Sequence, residues 1–224
     1  MGAPDASGDA ASRREQRRRR HQHFSREQFL DAAEEIFGRK GYHETTLKEV
    51  AEQAEFSVGS VYSFFENKED LFRQIFLRRG GQFMPEIREV LGDVGDDPLA
   101  ALHRLVDFEV RWFRRHPHFG RLFLRHASPT LLPSEGAQDA VLTSNYHESM
   151  ALQSDLIRKG QAAGVLRAGD PEVLARVFSG MIATFQSLDP AVMSDDPSVG
   201  ERMTLAELHD LIEATFRRPE PSDG

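Results

Sequence analysis

Two helix starts stand close together between residues 45 and 68, and they constrain the fold more than anything else in the chain. Thr46 with Glu49 three residues on is a capping box, in which hydroxyl and carboxylate each satisfy a backbone N–H that the first helical turn leaves free. Leu47, Val50, Ala51 and Ala54 follow with helical spacing on one face. Ser57 is a second cap, and behind it Val61 and Phe65 lie one turn apart. The helix between the caps has room for only about two turns before it ends at Glu55-Phe56. Two helices this short need longer neighbours to bury their apolar faces.

The flanking sequence supplies them. Phe29, Ala32, Ala33, Ile36 and Phe37 recur at i, i+3, i+4, i+7 and i+8, and Gly41 stops that helix. Ser25 and Gln28 read as its capping box, with Phe24 and Phe29 at the staple positions, so the helix is expected to begin at Ser25. Asn67 caps a fourth helix, with Asp70 favouring its dipole and Leu71, Phe72, Ile75 and Phe76 on its apolar face. This is the plan of a helix-turn-helix, whose second short helix, here Val58 to Phe65, enters a major groove of DNA. Val61 and Phe65 are predicted to face inward. Gly59 allows close backbone approach, and Val58, Ser60 and Ser63 are small enough to touch base edges. The Tyr62 hydroxyl can reach a phosphate. The N–H groups after Thr46 and Asn67, with the charge of Lys68, are predicted to face phosphates as well.

Net charge of −8 argues against nucleic acid until its distribution is seen. Of 28 basic and 36 acidic residues, 14 of each fall within 1–80, so the whole acidic excess lies beyond. The dense basic run Arg13, Arg14, Arg17, Arg18, Arg19 and Arg20 sits just before the first helix. It reads as an arm, solvated in the free protein, that follows phosphates or enters a minor groove on binding.

The remainder also reads as helices. Asp97-Pro98 and Asp170-Pro171 are caps followed by proline at the first helical position. The expected helices run from Asp97 to about Arg115, Phe119 to His126, about Gln138 to Ala163, Val173 to Leu188 and about Arg202 to Phe216. Loops are expected around Pro129 and Pro133 and over Asp189 to Gly200. The predicted fold is all-α: an N-terminal three-helix helix-turn-helix DNA-binding domain and a C-terminal helical ligand-binding and dimerisation domain. Its boundaries are a disordered basic arm over 1–22, the DNA-binding domain over 23–80, the helical domain over 81–218 and a tail over 219–224.

From Phe24 to Phe76 the chain resembles the DNA-binding domain of the TetR family of transcriptional regulators. The resemblance is carried by FLDAAEEIFGRKGYHETTLKEVAEQA, by Ser57-x-Gly59-x-Val61-Tyr62-x-x-Phe65 and by Asn67-Lys68-Glu69-x-Leu71. It implies phosphate contacts at Thr46, Tyr62 and Lys68, and groove contacts at Ser57, Val58, Gly59 and Ser60. Ser63 and Phe64 complete the expected DNA-binding set. Two positions depart from the family's pattern. Glu55 stands where glycine is usual in the turn, so a non-glycine residue is expected at positive φ, at a cost of order 1 kcal/mol. Phe64 stands where histidine is frequent and cannot hydrogen-bond a phosphate, so packing on DNA or covering the core is its alternative.

The resemblance further implies a dimer through the last two helices, reading a pseudo-palindromic double-stranded operator with heads about 34 Å apart. It implies a small-molecule effector in the middle helices, for which Phe108, Trp112, Phe119, Phe123, Tyr146 and Met150 are the candidate pocket residues. The absence of cysteine removes thiolate chemistry, and no G-x-S-x-G elbow, phosphate-cradling glycine loop or H-E-x-x-H occurs. The expectation is a ligand-responsive repressor that is not an enzyme and uses no cofactor. Proline between His116 and His118 breaks the spacing of a metal site, and no acidic residue adjoins that cluster with His126. Without an apolar signal region or membrane span the chain is expected to be cytoplasmic. A helical protein–protein adaptor with weakened DNA binding is the alternative reading.

Overall fold

The computed structural model describes residues 6–92, 97–126, 140–196 and 198–220. Ten helices occur among them: α1 (Ala6–Lys40), α2 (Leu47–Gln53), α3 (Val58–Val61), α4 (Lys68–Gly92), α5 (Pro98–Arg115), α6 (Pro117–His126), α7 (Ala140–Ala162), α8 (Pro171–Leu188), α9 (Pro190–Met193) and α10 (Leu205–Phe216). The only strand-like pairing among the described residues is an isolated bridge between Leu166 and Arg217. The chain divides into two compact units, and the division falls after Ile75, inside α4. The loop expected around Pro129 and Pro133, and the helix start at Gln138, lie outside the described residues. So do 1–5 and 221–224.

The first unit is built on a phenylalanine core. Phe29, Leu30, Ala33 and Phe37 of α1 are fully buried with Val50 and Ala51 of α2, Val61 of α3, and Leu71 and Ile75 of α4. The Phe29 ring lies 4.8 Å from that of Phe56 and 6.3 Å from that of Phe65. Gly41, at φ +89°, ends α1 as expected. Its start is not as expected. The helix runs from Ala6 through the arginine run without a break, so the stretch predicted as a disordered arm is helical from Ala6 onward. Ser25 is a buried interior residue whose Oγ lies 3.2 Å from His21 Nδ1, and Phe24 points into solvent instead of forming a staple. The physical reason is propensity. Alanine, arginine, glutamine and glutamate favour helix, and Glu15 pairs with Arg18 at 3.5 Å and Arg19 at 3.0 Å. A capping box permits a helix to start; it does not forbid the preceding residues from being helical.

In the second unit, Asp97 caps α5 by accepting from the N–H groups of Leu99 and Ala100, both at 3.0 Å. Leu102, Leu105, Val106, Phe108, Trp112 and Phe113 bury its inward face. α7 ends at Ala162, and Gly164 in the turn that follows takes φ +72°. α8 begins at the Asp170 cap and meets α10 through Phe178 and Phe216, whose rings are 5.7 Å apart. The predicted loop after Leu188 holds the short α9, capped by Asp189. Buried Arg121 fastens this segment, donating to the Val192 carbonyl at 2.7 Å and pairing with Asp195. α10 starts at Leu205 and not at Arg202, because Thr204 and Glu207 form a capping box there. No helix among the described residues is long and apolar enough to cross a membrane.

One polar residue sits on the inward face of α5. Glu109 has no ionic or hydrogen-bond partner among the described residues, and burial pushes its carboxyl up to about 8. A carboxyl whose folded pKa is raised holds its proton more tightly when folded, so stability falls as pH rises from about 4.5 through about 8. At pH 7 the loss is about 3 kcal/mol. Thermal melts across this range should therefore show a falling midpoint in the wild type and a flatter profile in Glu109→Gln. Equal slopes would show that Glu109 is solvated in the folded protein.

Candidate nucleic-acid interface

The geometry of residues 45–68 follows from the caps. Thr46 Oγ1 accepts from the Glu49 N–H at 3.2 Å, and Glu49 Oε2 accepts from the Thr46 N–H at 2.9 Å. Lys40 Nζ donates to the other oxygen of Glu49 at 2.5 Å. The Lys40 contact, followed by those of Thr46, holds the Glu49 carboxyl at about 2. This brace from the end of α1 to the start of α2 was not anticipated from the sequence, since Lys40 belongs to no local motif with Glu49. The turn after α2 places Glu55 at φ +61°, the one non-glycine residue at positive φ among those described. That is the strained turn that a glutamate in place of glycine predicts.

Ser57 caps α3, accepting from the Ser60 N–H at 3.2 Å, and its hydroxyl lies 2.8 Å from Ser60 Oγ. α3 is shorter than expected, ending at Val61 with turns continuing toward Phe65. A tail of mixed bonds, Ser63 N–H to Ser60 and Phe64 N–H to Val61, replaces the last helical turn. Val61 and Phe65 face inward as predicted. On the other side Ser57, Gly59, Tyr62 and Ser63 are exposed, with Val58 and Ser60 half-buried beside them. Tyr62 is 58% exposed, unusual for a large ring and suited to a phenol that meets a partner. Ser63 Oγ donates to the Gly59 carbonyl at 3.2 Å.

Two residues of the expected set turn the other way. Lys68 Nζ donates to the carbonyls of Tyr42 at 2.8 Å, Thr45 at 2.9 Å and His43 at 3.4 Å, and lies 4.4 Å from the Tyr42 ring centre. Its charge gathers the α1–α2 loop onto the start of α4 and is not presented to solvent as a free cation. Phe64 is half-buried with its ring 5.6 Å from Phe29, so it covers the core. Arg26 lies 5.6 Å over the Phe65 ring and donates to Gln74 at 2.6 Å. Arg14, Arg17, Arg18, Arg19 and Arg20 stand exposed along α1.

A short, solvent-facing α3 set by two capped turns on a phenylalanine core is the geometry of a groove-reading head. Residues 29–75 match the model of the bacterial regulatory proteins of the tetR family. That segment, about a fifth of the chain, is a TetR-type DNA-binding domain. Among the chain's relatives is the fatty acid metabolism regulator protein of Bacillus subtilis (strain 168), 37% identical over 62 residues, which are 28% of this chain and 32% of that protein. The match thus takes in about a third of that relative's length. The uncharacterized regulator YhgD of the same strain is 28% identical over 153 residues, 66% of this chain and 75% of its own. Likeness of fold extends beyond the matched segment. The crystal structure of AibR, in complex with isovaleryl coenzyme A and operator DNA, superposes with a TM-score of 0.69 at 19% identity, over 86% of this chain and 98% of that one.

The candidate effector residues do not form one group. Phe108, Trp112 and Phe119 are buried, and Trp112 lies 5.7 Å from Phe119 and 5.1 Å from Phe83. Phe123 joins them through Phe113 at 5.4 Å. Tyr146 and Met150 instead line a groove of about 210 Å³ with Arg158, Glu172 and Arg176, between α7 and α8. Helical periodicity identifies which face of a helix is apolar, not which neighbour covers it, so rings from α5, α6 and α7 were expected together and are not.

Proposed function

We propose that this chain is a TetR-family, ligand-responsive transcriptional repressor that binds a pseudo-palindromic operator as a dimer, and that it is not an enzyme. The observation that carries the reading is the exposed face of α3: Ser57, Gly59, Tyr62 and Ser63 stand in solvent above the buried Val61 and Phe65. Small side chains and one phenol, held by buried anchors, suit close approach to a groove with a phosphate at its rim. Ser57, Val58, Gly59 and Ser60 are assigned to base edges, and Thr46 and Tyr62 to phosphates. Lys68 is assigned to holding the loop that carries Thr46. The exposed arginines of α1 add contacts to flanking phosphates.

Dimerisation is supported by apolar side chains that the single chain leaves in solvent: Val173 at 56%, Val177 at 42% and Leu211 at 46% exposure, on α8 and α10. Response to a ligand is supported by likeness of fold to AibR, crystallised with both an acyl coenzyme A and operator DNA.

A mobility-shift titration against DNA upstream of the chain's own gene tests the reading. Specific, salt-sensitive binding is expected, and binding indifferent to sequence would refute it. Tyr62→Phe should weaken binding to all sequences alike, because it removes a phosphate contact. Ser60→Ala should instead change base preference at one position in each half-site. The opposite pattern would overturn the assignment of roles.

A further inference from the structure

Glu109 on α5 has Leu105 and Val106 one turn before it and Trp112 and Phe113 one turn after it, and none of these four is more than 4% exposed. Glu109 nevertheless keeps part of its own surface accessible. A side chain on so buried a face that is still open to a water-sized molecule borders a space its neighbours do not fill. Its carboxyl has neither hydrogen bond nor ion pair among the described residues, and burial alone displaces its pKa. Trp112, fully buried and three residues on, is unsatisfied in the complementary sense: its Nε1–H has no acceptor among the described residues. An acceptor and a donor, both unmatched, thus stand one helical turn apart. The Phe83 ring lies 5.1 Å from that of Trp112 and 5.3 Å from that of Phe108. Native interiors rarely leave such groups orphaned unless a bound molecule completes them.

We propose that Glu109 and Trp112 form the polar end of an effector cavity in the second unit, and that the cavity takes a small organic amine with a flat apolar body and one hydrogen-bond acceptor. The ammonium faces the Glu109 carboxylate, the acceptor receives the Trp112 N–H, and the body lies against Phe83 and Phe108. An ammonium offsets the cost of ionising a carboxyl in apolar surroundings and is attracted to ring faces. A ligand carboxylate supplies no counter-charge to ionise Glu109 and would itself have to be desolvated in apolar surroundings. The inference rests on the ligand-responsive reading above and narrows it to a chemical class.

The chain has a single tryptophan, so its fluorescence reports from the proposed site. The full-length protein is titrated with pyridylethylamine, pyridylethanol and pyridylacetate, which share a ring acceptor and differ only in the end group. The amine is expected to shift Trp112 emission and to bind at least about tenfold more tightly than the alcohol, with the acid weakest. Glu109→Gln resembles the protonated acid in shape, and its circular dichroism should match the wild type. It should bring the amine down to the alcohol's affinity and leave the alcohol unchanged. Equal binding of amine and alcohol, preference for the acid, no response to any of the three, or a loss shared by all three in Glu109→Gln would each overturn the proposal. The titration contains no DNA. Amine binding that leaves operator affinity unchanged would keep the site and refute ligand control; operator binding without an amine response would refute the site alone.

Discussion

Phe29→Ala is expected to cost about 3–5 kcal/mol and to unfold the first unit at temperatures where the wild type is intact. Phe29 is fully buried, and its ring touches those of Phe56, Phe64 and Phe65, which come from the turn, the tail of α3 and the approach to α4. Removing it takes away the surface on which the reading head is seated, and none of these rings can fill the space without leaving its own element. For a unit of this size the midpoint should fall by more than about 10 °C. Calorimetry should show that transition moving while the second unit's transition stays in place, with operator binding lost at the growth temperature. A melt unchanged within about 1 kcal/mol would mean that Phe56, Phe64 and Phe65 hold the head by other contacts.

Val177→Asp combined with Leu211→Asp is expected to produce monomers and to lower operator affinity by at least about 100-fold, since one head alone reads too few bases. Both side chains are solvent-exposed in the single chain, so a carboxylate costs the monomer little. An aspartate buried in an apolar interface has no such freedom and must be desolvated without a partner. Sedimentation should show the monomer mass, and circular dichroism should show an intact fold. A dimer surviving both substitutions would place the interface away from α8 and α10.

The caps were legible because they are local. Thr46 with Glu49, Ser57, Asn67, Asp97 and Asp170 each satisfy backbone N–H groups no more than three residues away, so spacing alone reveals them. The same locality makes Thr204 with Glu207 readable as a helix start, two residues after Arg202. Glu109 was readable too, as a carboxylate set among apolar positions one turn to either side. What could not be read was the direction of side chains at the interface. Lys68 turns inward because three carbonyls of a loop more than twenty residues earlier converge on it. Phe64 turns inward because Phe29 offers it a ring.

The sequence by itself determined where most helices start and stop and which residues form the core of the reading head. These properties rest on hydrogen bonds and periodicities that span a few residues. Only the tertiary structure decided that Lys68 binds carbonyls and that the middle-helix aromatics divide between a packed ring cluster and a separate groove. The direction of a long side chain and the partner of an apolar face depend on what distant segments bring within a few ångströms, and no local pattern encodes that.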